Sequence, residues 1–281
     1  MPIDEPRTGS LPVPGARLYY EVRGTGPVLV LNGVPMGAGG FAELAPLLAE
    51  HYTVVSYDPR GTFRSGVDDP ARATPPELLA DDLHRLLTAL GDGPAHLFGS
   101  SGGAVTGLAL VARHPGQVIT FVAHEPPLPE LLPDRDEVRA AIDEVCDTYV
   151  SAGREAALKR YAAVTGIERF SQPPSARGGS AAPATFTAPA DVRAILDRFF
   201  RHLLRPIVGC RPDMTALRES PTRIVVAGGS TSRGELAHRT AAALADRLGT
   251  RMLDFPGGHT GFQQEPREFA RLLHRVLSGP A

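Results

Sequence analysis

Three residues of this 281-residue chain have the types and settings for nucleophilic chemistry. Ser101 stands in "HLFGSSGGA" (96–104), with Gly99 two residues before it and Gly103 two after, the G-x-S-x-G pattern. A serine in that pattern sits on a strained strand-to-helix elbow that thrusts its hydroxyl out of the sheet. Ser100, at the motif's x position, is expected to point elsewhere. His259 follows two glycines in "FPGGHTGF", and Glu125 precedes two prolines in "AHEPP". A hydroxyl, an imidazole to take its proton and a carboxylate to orient the imidazole are three parts of acyl transfer. The fourth is a set of backbone N–H donors for an oxyanion, and the loop "NGVPMGAGG" (32–40) offers them. The pentapeptide alone fits an ordinary glycine-rich turn equally well. The weight therefore rests on whether the chain brings the four parts together.

The pattern of elements says that it does. "RLYYEVRG" alternates as a half-buried strand, while "PVLVLNG" (27–33) and "YTVVSYD" (52–58) read as strands buried on both faces. "GFAELAPLLAEH" (40–51) reads as a helix between them. Thr74, Pro75 and Glu77 have the spacing of a helix start, with Thr74 as the capping residue, and Leu79, Leu83, Leu86, Leu87 and Leu90 share one face. "AHLFGS", a helix of small residues and "VITFVAHE" (118–125) follow. After about ninety residues the rhythm resumes with "RIVVAGG" (223–229), a helix, "RMLDFPG" and a last helix carrying Phe269, Leu272, Leu273, Val276 and Leu277. Strands alternating with helices imply an α/β fold with a mainly parallel central sheet flanked by helices.

The expected division is a core of residues 1–127 and 220–281, interrupted after its sixth or so strand by a mostly helical cap insertion, 128–219. Leu196, Phe199, Phe200 and Leu203 mark an apolar stripe in that insertion. "SQPPSARGGSAAPATFTAP" (171–189) reads as irregular, with a mobile lid as one use of it. Ligands of open α/β sheets bind at the carboxyl ends of the strands. Ser101, His259, Glu125 and the 32–40 loop all stand at such ends. The prolines after Glu125 are expected to hold it in extended geometry.

Composition excludes other classes. A net charge of −2 gives no basic face for nucleic acid. No run approaches the roughly 18 apolar residues of a membrane span, and the N-terminus lacks the apolar core of a signal peptide. Cys146 and Cys210 have no metal-ligand spacing and suggest no disulfide framework. A cytoplasmic enzyme without metal or cofactor is expected, its oligomeric state open. His124 beside Glu125 invites a zinc reading, but H-E-x-x-H needs a helix and a second histidine, and "HEPPL" has neither. A hydrogen bond or a place in a binding pocket is expected of it. Met36 and Phe262 flank the site and are candidates for the pocket lining, with structural packing as the alternative. Asp58 and Arg60 are expected to hold the turn after their strand.

The order of elements, "FGSSGG", the terminal "GGH" and the inserted cap resemble the α/β-hydrolase family over nearly the whole chain, least in 128–219. The resemblance implies Ser101 as nucleophile, His259 as base and the N–H of Gly102 as one oxyanion donor. It implies Val34, or else Gly33, as the second donor. Asn32-Gly33 stands where the family often has His-Gly, and the donor being backbone, the change should touch loop hydrogen bonding more than chemistry. The family usually carries an Asp after the strand corresponding to "RIVVAGG". Here that loop reads "GSTSRGE", with Thr231 in the Asp position and no carboxylate before Glu235. Glu125, 24 residues after Ser101, is the better candidate, and "HEPP" and "GGH" resemble zearalenone-type lactonases locally. The implied reaction is hydrolysis of a carboxylic ester or lactone of a moderately hydrophobic small molecule. Macrolactone opening, carbon–carbon bond hydrolysis and a non-catalytic ligand-binding protein on the same scaffold are the rivals.

Overall fold

A computed structural model describes residues 5–91, 93–167 and 189–279. In chain order the described elements begin with β1 (Arg7–Val13), β2 (Ala16–Arg23), β3 (Val28–Val34), α1 (Leu44–Leu48), β4 (Thr53–Tyr57), β5 (Gly66–Val67) and α2 (Pro76–Leu90). Next come β6 (Ala95–Ser101), α3 (Gly102–Arg113), β7 (Val118–His124), α4 (Arg135–Ala152), α5 (Arg154–Thr165) and α6 (Pro189–Arg198). A π-helical turn, Phe199–Leu203, leads into α7 (Leu204–Val208). The chain closes with α8 (Met214–Glu219), β8 (Arg223–Gly229), α9 (Leu236–Leu248), β9 (Leu253–Phe255), α10 (Gly261–Gln264) and α11 (Pro266–Ser278). The strands form one sheet in the order β1-β2-β4-β3-β6-β7-β8-β9, with β5 beside β2. From β4 to β9 every pairing is parallel, and β2 pairs antiparallel with β1, β4 and β5.

The central strands are apolar on both faces because helices cover both. On one face lie α1 and α11, where Phe269, Leu273 and Leu277 meet Phe98, Val122 and Phe255. Each side chain of this kind, fully buried, contributes about 1.5–3 kcal/mol. On the other face Leu83, Leu86, Val105, Leu108, Ala241 and Leu244 pack against Val30, Leu97 and Phe121. Helical residues between β7 and β8 join that second core, among them Ile142, Val145, Phe200 and Leu203.

Four local readings change. β1 was not anticipated: "RTGSLPV" alternates weakly, and its register comes from the turn at Pro14–Gly15 that pairs it with β2. With β5 also uncounted, the helical stretch follows the seventh strand. The helix expected over 40–51 is a 3₁₀ turn, Ala38–Phe41, and then the short α1. Thr74 does not cap α2. Pro75 is the N-cap, and the Thr74 hydroxyl accepts from Arg198 Nη2 while its N–H donates to the His202 carbonyl at 3.0 Å. The stretch 171–188 lies outside the described residues; Pro189 opens α6.

Arg198 explains the change at Thr74. It is buried, and its guanidinium also donates to the Pro70 carbonyl at 2.8 Å. These bonds pin α6 and the π turn to the segment before α2. Asp58 holds the other rim: Oδ1 accepts from Ala38 N at 2.8 Å, Oδ2 from Arg64 Nε at 2.7 Å. Arg60 is buried with Asp82, its Nε 2.6 Å from Oδ2.

The sheet centre is tight where β3 meets the start of α3. A methyl group on Gly103 would overlap the backbone carbonyl of Asn32. Alanine is otherwise the better helix residue by about 1 kcal/mol, so steric conflict alone sets the sign. Gly103→Ala should lose about 1–3 kcal/mol or more in urea unfolding, whereas Gly93→Ala, with nothing within 4 Å of the new methyl, should stay within about 0.5 kcal/mol of the parent.

Candidate active site

Ser101 ends β6 and precedes the first residue of α3, with φ 57° and ψ −127°. Among the described residues only Phe63, Ser101 and Glu125 are non-glycine with positive φ. Such conformations cost about 1–3 kcal/mol each and persist only when surroundings impose them. At Ser101 the imposition is visible. A Cβ on Gly99 would meet Gly103 O at 2.8 Å, and one on Gly102 would meet Val34 O at 2.9 Å. The elbow can turn this sharply only with glycine at these places.

Beside the elbow, β3 runs parallel to β6 with Gly33 opposite Ser100 and Val34 opposite Ser101. This register sets the backbone of Gly33 and Val34 next to that of Ser101 and Gly102. Asn32 is fully buried here: its Nδ2 donates to Gly103 O at 3.0 Å and its Oδ1 accepts from the Tyr57 hydroxyl at 2.9 Å. The Asn32 amide thus ties β3, β4 and the start of α3 together.

Glu125 follows β7 and is 0 % exposed. The extended geometry expected before Pro126 is not what it adopts, since its φ is 49°. Its N–H first completes the β7–β8 ladder, donating to Ala227 O at 3.0 Å. The chain then bends, and the carboxylate reaches the end of β8. There Oε1 accepts from Gly229 N at 2.8 Å and from the Ser232 hydroxyl, while Oε2 lies 2.6 Å from His259 Nδ1. His259 is 9 % exposed, on the loop after β9. That loop is fastened to the one after β8: Ser230 N donates to Phe255 O at 2.9 Å and Thr231 N to Gly257 O at 3.0 Å. Gln264 Oε1 accepts from Gly258 N at 2.8 Å. Glu235 sits instead at the N-terminus of α9, against Gly166. Ser232 and Gly229 went unread in the sequence, although "GSTS" stands in the loop where the family's acid is usual.

Ser101 Oγ makes no hydrogen bond with another described side chain; such contacts often close only with substrate bound. Above it lies a small, partly open pocket with a cavity volume of about 20 Å³, about the room one water molecule needs. Its floor is Val34, Ser101, Gly102 and Pro127, and its roof includes Ile142, Tyr161, Phe199, Leu204 and Ile207. None of the lining residues carries a charged side chain.

Met36, His124 and Phe262 do not line this pocket. Phe262 is buried among Phe41, Phe98 and Phe269. Met36 packs beside Gly33 and takes a hydrogen bond on sulfur from Gln263 Nε2 at 3.4 Å. His124 is fully buried against Phe98, Phe255, Phe262 and Phe269, and neither ring nitrogen has a partner. Burial lowers its pKa to about 4, so the ring is neutral at ordinary pH. No cluster of three or more His, Cys, Asp or Glu side chains suited to a metal occurs among the described residues. Nor is any described helix long and apolar enough to cross a membrane.

Burial by itself would raise the Glu125 carboxyl, but the hydrogen bond and charge of His259 and the Ser232 hydroxyl outweigh it and hold the pKa at about 2, below the usual 4.5. Between those values the unfolded chain binds more protons than the folded one. The stability Glu125 contributes is therefore complete above about pH 4.5 and lost as pH falls toward 2. The urea midpoint should fall more steeply from pH 5 to 3 in the parent than in Glu125→Gln; equal slopes would mean that the carboxylate is not held this way.

Residues 26–165 match the sequence profile of the alpha/beta hydrolase fold. The uncharacterized hydrolase YraK of Bacillus subtilis (strain 168) is 36% identical over 272 residues, covering 96% of this chain and 95% of its own. Among solved structures, a thermophilic esterase from Thermogutta terrifontis superposes with a TM-score of 0.72 at 18% identity, over 98% of each chain. The enol-lactonase from Burkholderia xenovorans LB400 does so with a TM-score of 0.67 at 17% identity, over 96% of this chain and 100% of its own. Those two likenesses show the fold, and the bacterial relative, alike over nearly its whole length, shows the family: the chain belongs to the alpha/beta hydrolase fold family and is a hydrolase.

Proposed function

We propose that this hydrolase cleaves a carboxylic ester or lactone through Ser101, His259 and Glu125, and that the helices of 128–219 form a cap over the site. The observation that carries the reading is the 2.6 Å contact between Glu125 and His259, with the carboxylate's other oxygen held by Gly229 N and Ser232. Ser101 Oγ attacks the carbonyl carbon while its proton passes to His259 Nε2. The resulting oxyanion is held by the N–H groups of Gly102 and Val34, the latter favoured over Gly33. The carbon–oxygen bond to the leaving group breaks, and His259 returns the proton to the departing alkoxide. Water, deprotonated by the same imidazole, then attacks the acyl-enzyme and releases the acid and Ser101. Glu125 keeps its charge throughout, fixing the Nδ1–H tautomer and stabilising the imidazolium. The uncharged pocket lining favours an uncharged substrate. The names of an esterase and an enol-lactonase among structural neighbours agree with this chemistry.

Intact-mass measurement after treatment with a fluorophosphonate tests the nucleophile: one adduct is expected on the parent and none on Ser101→Ala. With 4-nitrophenyl acetate, Glu125→Gln should lower kcat by about 10³–10⁴-fold, the scale seen when a triad acid loses its charge. Ser232→Ala, which leaves the charge but removes one restraint, should cost far less. Full activity in Glu125→Gln would remove it from the mechanism, and an unlabelled, folded parent would contradict the serine-hydrolase reading altogether.

A further inference from the structure

Gly102 is the residue whose N–H faces the reacting carbonyl in the mechanism above, so whatever packs on it bounds the substrate. A Cβ placed on Gly102 would lie 2.9 Å from Ile207 Cδ1. The tip of Ile207, a buried residue of α7, therefore rests on the peptide next to the nucleophile. Leu204, Ile207 and Val208 follow the i, i+3, i+4 spacing that puts three side chains on one helix face, and all three line the pocket. The turn that feeds α7 is π-helical and tied to the core at Thr74 and Pro70 through Arg198 and His202. These bonds make the wall a fixed boundary rather than a free edge. Ile207 belongs to the same buried apolar cluster as Val138, Ile142 and Leu203, and α4 packs against α7.

We infer that Ile207 is the specificity-determining residue for the acyl side of the substrate, and that the enzyme takes short, uncharged acyl groups because the Ile207 side chain closes the pocket beside Gly102. This rests on the serine-hydrolase reading given above. Removing the three carbons beyond Cβ opens space into the cluster, where additional methylenes of a longer acyl chain gain burial.

The test compares the full-length parent, Ile207→Val and Ile207→Ala on 4-nitrophenyl acetate, butyrate and octanoate. Labelling rates with ethyl- and octyl-substituted fluorophosphonates are measured in parallel by intact mass. In the parent, kcat/KM should fall at least about tenfold from butyrate to octanoate. The octanoate-to-acetate ratio should rise about tenfold or more in Ile207→Ala and less in Ile207→Val, since single methylene differences in apolar pockets discriminate by about 10–200-fold. The octyl phosphonate should follow the same order at Ser101. Parallel chain-length profiles in all three proteins, with Ser101 still labelled, would overturn the role of Ile207 and leave the hydrolase mechanism standing. An unlabelled and inactive parent would overturn both. Should Ile207→Ala fail to give a native circular dichroism spectrum, the Val variant decides through the same two ratios.

Discussion

A carboxylate that is wholly buried must have partners on both oxygens, and the arrangement of this site follows from how Glu125 meets that demand. Its charge would be very costly in an apolar interior without them. Oε1 is met by the backbone of β8 and by Ser232, and Oε2 by His259. To reach those partners from the end of β7 the chain bends through a left-handed conformation at Glu125, against the ordinary preference of a residue before proline. The positive φ there and at Ser101 places backbone strain on two neighbouring strand ends. The central strands, packed on both faces, supply the rigidity that keeps both strained residues in place.

The serine side answers to a different constraint, close approach. β3 and β6 are in register across Val34 and Ser101, and the start of α3 is pressed onto β3 at Gly102 and Gly103. Asn32 fastens that contact from below through Tyr57 and Gly103. Here the family's usual histidine is absent, yet its backbone register is kept by an amide that satisfies both its donor and its acceptor. The two halves of the site thus rest on separate strand pairs, β3–β6 and β7–β8, which the pairing of β6 with β7 brings side by side.

Much of this was legible in the sequence because it is local. Glycines two residues either side of Ser101, paired glycines before His259 and a carboxylate at a strand end are short-range patterns, and the strand–helix rhythm dictates the parallel sheet that gathers their ends. What was not legible depends on which face a side chain takes. Successive residues of β7 alternate, with Val122 in the core under α11 and Ala123 in the opposite one. His124 keeps that parity and points among phenylalanines rather than toward the pocket. Its neighbour Glu125 escapes the alternation only through a left-handed turn that the following prolines argue against. Phe262 and Met36 lie near His259 and Gly33 along the chain, but they pack on the α11 side of the sheet. Thr74 had the spacing of a cap and was claimed by Arg198, 124 residues away, a partner no local pattern reveals. The residues over Ser101 show the same limit. An apolar stripe from Leu196 to Leu203 could be seen, but that Ile207 touches Gly102 depends on the π turn.

The central claim is that Glu125, and no other carboxylate, holds the His259 imidazole. The most direct measurement is the proton NMR resonance of the His259 Nδ1–H, which a short bond to a buried carboxylate moves far downfield of the amide envelope. The resonance should be present in the parent and in Ser101→Ala, absent in Glu125→Gln and unchanged in Glu235→Gln. Persistence in Glu125→Gln, or loss in Glu235→Gln alone, would contradict the account.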